Sequence, residues 1–167
     1  MRKVVLARVD DRLIHGEVVS VWTPYLSVNC ILVVDDAVAQ DSFNCRVLKS
    51  LAPDGVKVFV TTVAGAVKGL LKDPVPQERV MVLTKSPIAY AQLVEAGVPI
   101  EAVNLGGMGI RGDRAPFIKN VAADPAEIGA IERLRASGVH VYYQLVPEQA
   151  VIEVDEALAR TRGGERA

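Results

Sequence analysis

Val-Asp-Asp-Arg-Leu-Ile-His-Gly-Glu-Val, residues 9–18, closes one structural element and opens another. Residues 3–9 before it (Lys-Val-Val-Leu-Ala-Arg-Val) form the apolar run of a strand covered on both faces. After it, Val18, Val19, Val21 and Trp22 predict a short helix that ends before Pro24. Strand, polar loop and helix make the first half of a βα unit, and the pattern continues along the chain. Runs at 30–35, 56–61, 79–84, 101–105 and 139–145 read as further strands. Between them lie helical patterns with readable ends. Ser86-Pro87 starts one that Gly97 stops, and Asp124-Pro125-Ala126-Glu127 starts one that Gly138 stops. Asp41 caps a third, carrying Val47, Leu48 and Leu51 as far as Pro53, and Thr62 precedes a fourth.

This alternation predicts an α/β fold: a three-layer α/β/α arrangement with an open, mainly parallel sheet of six to seven strands and helices on both faces. A length of 167 residues fits a single domain over 1–167, with 148–167 as a peripheral C-terminal helix and tail whose end, 160–167, is expected to be disordered. One segment breaks the rhythm. Residues 106–123 read as a long connection, glycine-rich at its start and carrying Arg111, Arg114 and Lys119.

Composition excludes several classes of function. With 19 basic and 20 acidic residues the net charge is −1, so nothing favours nucleic acid or an anionic membrane as a partner. Cys30 and Cys45 show no CxxC or Cys/His spacing and read as buried small hydrophobes. No apolar run approaches the roughly 18 residues of a spanning helix, and Asp10 comes too early for a signal peptide, so a soluble, cytoplasmic protein is expected.

The chemistry concentrates in the first loop. In parallel sheets ligands bind beyond the carboxyl ends of the strands. His15 and Gly16 fall at the start of the following helix, where backbone N–H groups and the dipole favour an anion and a neutral imidazole. A neutral imidazole is a nucleophile. Gly16 lets an anion approach the backbone, Arg12 and Arg8 offer guanidinium donors, and Asp10 or Asp11 can hold one ring nitrogen and free the other. Together these parts suit a histidine that accepts a phosphoryl group. The competing reading is a turn with a surface ion pair, and a metal set of Asp10, Asp11 and His15 lacks further ligands. His140 reads as structural and Trp22 as core. Gly106, Gly107 and Gly109 form either a tight turn or a phosphate-approach loop, without a dinucleotide-binding fingerprint. Asp35 and Asp36 cap the next helix or line the same cleft.

"ARVDDRLIHGEV", "VVDDAVAQD" and "VNLGGMG", in this order across nearly the whole chain, resemble the IIB subunit of the mannose/fructose/sorbose class of the bacterial phosphoenolpyruvate-dependent sugar phosphotransferase system. In that family the first motif reads R-I-D-D-R-L-I-H-G-Q-V. The resemblance makes His15 the phosphorylated residue, with Arg8, Arg12 and Asp10, the motif's first aspartate, in the catalytic set; Asn104, Gly106, Gly107 and Met108 form its second turn, and Gly16, Asn104, Gly106 and Gly107 are expected to bind the phosphate. It also implies strand order 3-2-4-1-5-6 with a possible antiparallel addition, and no cofactor or metal. The implied donor is phosphohistidine on a IIA protein or domain, and the acceptor a sugar held by membrane IIC/IID components. A regulatory protein that reports phosphorylation state without transport is the alternative. Glu17 stands where the family has glutamine, and its carboxylate is expected to point to solvent.

Overall fold

The computed structural model describes residues 1–165, with side chains through residue 162. Six parallel strands form the sheet: β1 (Val4–Asp10), β2 (Cys30–Val34), β3 (Lys57–Thr61), β4 (Val80–Thr84), β5 (Ala102–Gly107) and, later in the chain, β8 (His140–Tyr143). A short β9 (Ile152–Glu153) adds to β8 in antiparallel sense, giving the order β3-β2-β4-β1-β5-β8-β9. The order implied by the resemblance and its antiparallel addition are both present.

Alternation along the strands splits the core. Ala7, Val9, Val80 and Val82 face one side, under α4 (Val63–Leu70), α5 (Pro87–Glu95) and α6 (Pro125–Ala136). Leu6, Ile31, Val33, Met81 and Leu83 face the other, under α2 (Asp36–Ala39), α3 (Ser42–Ser50) and the helical stretch 16–25. The helices begin where the sequence placed them, because each N-cap side chain satisfies an orphan amide. Asp41 accepts from Asn44 N–H, Thr62 from Gly65, Ser86 from Ile88, and Asp124 forms a capping box with Glu127. Gly97 and Gly138 close α5 and α6 with φ of 97° and 85°. Asp35 and Asp36 also cap: Asp35 accepts from Val38 N–H at 2.8 Å and Asp36 from Val63 N–H at 2.8 Å.

Four features differ from expectation. The segment 106–123 carries a β-hairpin, β6 (Ala115–Ile118) and β7 (Val121–Ala123), turning at Lys119 with φ 44°. Pro24 does not end the first helix. A π-helical turn at Val18–Trp22 runs into α1 (Thr23–Tyr25), and the Thr23 hydroxyl bonds the Val19 carbonyl, the i−5 acceptor that Pro24 has no N–H to serve. The C-terminal helix α7 (Asp155–Glu165) is anchored by buried Val154, Ala157 and Leu158 and is helical where disorder was expected; residues 166–167 lie outside the described residues. Cys30 is buried as expected, but Cys45 is half-buried, its Sγ 3.2 Å from the Val38 carbonyl.

Candidate functional site

The site is built from β1 upward. Arg8 and Asp10 lie two residues apart on one face of this central strand, and both side chains are fully buried. Such charges are tolerated only when paired. Arg8 Nη2 donates to Asp10 Oδ2 at 3.4 Å, and Nη1 donates to Asn104 Oδ1 at 2.6 Å and to the Gln144 carbonyl at 3.1 Å. The guanidinium also lies 5.2 Å from the Trp22 ring centroid, a cation–π contact. Asn104 sits opposite Arg8 in the β1–β5 register, and its own amide donates to Gln144. Gly106 makes room: a Cβ there would stand 2.2 Å from Arg8 Cζ. At Gly107 a Cβ would stand 3.3 Å from Asp10 Oδ1.

Beyond Asp10 the chain reverses. Asp10 Oδ1 accepts from Arg12 N–H at 3.1 Å, and the Asp10 carbonyl accepts from Leu13 N–H at 2.9 Å. Leu13 adopts a left-handed φ of 59°, a conformation costing a leucine about 1–3 kcal/mol. It is held there because Leu13 and Ile14 are buried beside Val18 and Trp22. The reversal swings His15 back over the strand end, so that Nε2 lies 2.8 Å from Asp10 Oδ2. Residue 16 starts the helix, with Val19 N–H donating to the His15 carbonyl at 3.0 Å.

Asp10 decides the state of the ring. Burial pushes its carboxyl up, but the hydrogen bonds from His15 and the Arg12 N–H, with the Arg8 charge, outweigh burial and hold it below its ordinary 3.8. An ionised carboxylate only accepts, so in the neutral imidazole the proton sits on Nε2 and the lone pair on Nδ1. Among the described residues Nδ1 has no hydrogen-bond partner, and the side chain keeps 13% of its surface exposed. Gly16 is open, with no atom within 4 Å of a Cβ built there.

The structure separates residues that the sequence grouped. Asp10, not Asp11, holds the imidazole. Asp11 Oδ2 accepts from Gly109 N–H at 2.8 Å, Arg111 Nη2 at 2.5 Å and Arg114 Nη1 at 3.1 Å. Arg114 in turn forks onto both Glu127 oxygens, so this network pins the 109–114 loop to β1 and α6. Arg8, Asn104, Gly106 and Gly107 do not form an open phosphate cradle, because their free space is taken by one another and by Asp10 and Gln144. Arg8 is a buried support of Asp10, whereas Arg12, with 55% of its side chain exposed, is the motif guanidinium at the surface. Trp22 is core, as expected, but it also donates from Nε1 to the Leu145 carbonyl at 3.0 Å and backs Arg8. The roles of Gln144, Leu13 and Arg114 had no local signal in sequence. His140 is exposed and pairs with Glu153 across β8 and β9 at 2.8 Å. Glu17 does not face solvent freely: its Oε2 is buried without a hydrogen bond, 3.9 Å from Arg12 Nη2.

Residues 4–165 match the family described as PTS system sorbose subfamily IIB component. The chain belongs to this family of IIB components. It is 35% identical over 150 residues to the fructose-specific EIIB component of Bacillus subtilis, covering 90% of this chain and 92% of that one. It is 36% identical over 155 residues to the mannose-specific EIIAB component of Escherichia coli, covering 93% of this chain but only 48% of that longer protein. The crystal structure of the IIB domain of the sorbose permease from Klebsiella pneumoniae superposes with a TM-score of 0.87 at 31% identity, covering 95% of this chain and 98% of that one.

Two outcomes follow from the burial of this IIB site. Arg8→Met removes the buried partner of a buried carboxylate and should cost about 3–5 kcal/mol in urea denaturation, whereas Arg12→Ala at the surface should cost under about 1 kcal/mol. The folded pKa of Asp10 lies below its unfolded value, so its contribution is whole above the ordinary 3.8 and is lost as pH falls through the depressed native value. Denaturation midpoints should therefore fall below about pH 4, and less steeply in Asp10→Asn.

Proposed function

We propose that this chain is a phosphocarrier of a sugar phosphotransferase system, with His15 as the group that carries the phosphoryl. In this reading it is a protein-phosphohistidine–sugar phosphotransferase: phosphohistidine of a IIA protein or domain is the donor, and a sugar held by membrane IIC/IID components is the acceptor. The protein works in the cytoplasm, docked on the membrane transporter. Among the described residues no helix is long and apolar enough to cross a membrane, which suits that placement. The carrying observation is the 2.8 Å contact from His15 Nε2 to a buried, ionised Asp10, beside an exposed Arg12 and open Gly16, in a member of the IIB family.

The step balances simply. The Nδ1 lone pair attacks phosphorus as the donor's N–P bond breaks, and the donor nitrogen keeps that electron pair. The Nε2 proton stays in place, so the ring gains positive charge while phosphorylated. The Asp10 carboxylate meets that charge at 2.8 Å without moving. Arg12 supplies charge-assisted donors to the phosphoryl oxygens, and Gly16 leaves the helix start uncovered. Onward transfer reverses the attack: the sugar hydroxyl loses its proton to a base of the acceptor site, its oxygen takes the phosphorus, and the N–P electrons return to Nδ1. The glycine turn at 106–107 contributes by seating Arg8 and Asp10 rather than by touching the phosphoryl group.

Incubation with phosphoenolpyruvate, Enzyme I, HPr and a cognate IIA, followed by intact mass, tests this. One phosphoryl group should appear on wild type and on His140→Ala, and none on His15→Ala. The label should be acid-labile and base-stable. Arg12→Ala should slow transfer by roughly 10- to 150-fold, the loss of one charge-assisted donor worth about 1.5–3 kcal/mol. Normal labelling of His15→Ala would falsify the proposal.

A further inference from the structure

The charges around His15 balance before any phosphoryl group arrives. Asp10 and Glu17 supply two negative charges, Arg8 and Arg12 two positive ones, all linked through contacts of 3.4, 3.4 and 3.9 Å. A phosphoryl group adds up to two negative charges; the ring's own positive charge meets one of them, and neither guanidinium of the cluster is spare. Arg8 cannot turn to meet it: the side chain is fully buried against Asp10, Asn104 and Gln144. Arg111 and Arg114 are held by Asp11, and Arg114 also by Glu127. Arg12 is the one motif guanidinium in reach of solvent, with its Nε on Asp10 and its Nη2 toward Glu17.

Glu17 is the unusual member. One carboxylate oxygen is buried with no hydrogen-bond partner among the described residues, and Arg12 Nη2 stands 3.9 Å away. A buried carboxylate oxygen without a hydrogen bond is costly, and a neutral glutamine of the same shape would carry a smaller cost. In the unphosphorylated protein this carboxylate lies 3.9 Å from the guanidinium to which the functional reading assigns the phosphoryl oxygens.

We propose that Glu17 is a tuning residue that competes with the phosphoryl group for Arg12 and so raises the transfer potential of phospho-His15. This rests on the phosphocarrier reading above. Glu17 acts in two ways of the same sign: it draws Arg12 toward itself, and its charge repels the phosphoryl oxygens. The carrier therefore holds its cargo loosely and gives it up more readily to the next acceptor. No atom moves to or from Glu17; only the equilibrium between donor phosphohistidine and phospho-His15 shifts.

Phosphorylated IIA, freed of Enzyme I and HPr, is mixed with the full-length chain, and occupancy of both proteins is read by intact mass at equilibrium. Glu17→Gln and Glu17→Ala should each raise the equilibrium constant toward phospho-His15 by about 5- to 30-fold. That is the effect of one charge at roughly 6–8 Å through an effective dielectric near 20, reduced by solvent at a half-exposed position. Spontaneous loss of the phosphoryl group should slow in both variants. A merely structural role for Glu17 would lower occupancy or leave it unchanged, and either result with a labelled wild-type His15 overturns this proposal alone. A wild type that takes no phosphoryl group on His15 overturns the functional reading instead.

Discussion

A carboxylate with no exposed surface, Asp10, organises the carboxyl end of the central strand. Its two oxygens receive an imidazole N–H, a backbone N–H and two guanidinium groups. Burial alone would drive such a group toward its neutral form. The surrounding donors reverse that preference, and the ionised carboxylate in turn fixes the turn at Arg12 and the tautomer of the neutral His15 ring. Asn104, Gly106, Trp22 and the Gln144 carbonyl support the site at one remove, because they shape the slot in which Arg8 can lie beside Asp10.

This arrangement divides two arginines that share a motif. The buried one pairs with Asp10 inside the fold, and the exposed one is available to an anion. The distinction is energetic. A guanidinium sealed among protein acceptors contributes to the stability of the fold and cannot follow a ligand, whereas one half in water can be redirected at small cost. Asp11 makes the same point for the carboxylates. It holds the 109–114 loop through Gly109, Arg111 and Arg114 and leaves His15 to its neighbour.

Much of this was legible in the sequence because it is local. Strand runs, N-cap residues and stop glycines act within a few positions, and the polar loop after the first strand announces a site at a strand's carboxyl end. What could not be read depends on pairs distant along the chain. Arg8 looks like a site arginine until Asn104 and Gln144 close over it. The 115–123 hairpin contains Pro116 and turns without glycine at Lys119, so its two short strands carry no ordinary hairpin signal. The π-helical turn lets a helix continue through Pro24. The Glu17 carboxylate lies 3.9 Å from Arg12, a placement set by the turn that separates them and not by the helix pattern alone.

In the proposed mechanism a buried, ionised Asp10 holds the proton of the neutral ring on Nε2 and leaves Nδ1 as the nucleophile. Nitrogen-15 NMR of the His15 ring, recorded where the imidazole is neutral and again after phosphorylation, tests it directly. The expected spectra show the Nε2–H tautomer before reaction, loss of that tautomer preference in Asp10→Asn, and coupling of phosphorus to Nδ1 afterwards. A dominant Nδ1–H tautomer in the wild type, or phosphorus bonded to Nε2, would contradict it.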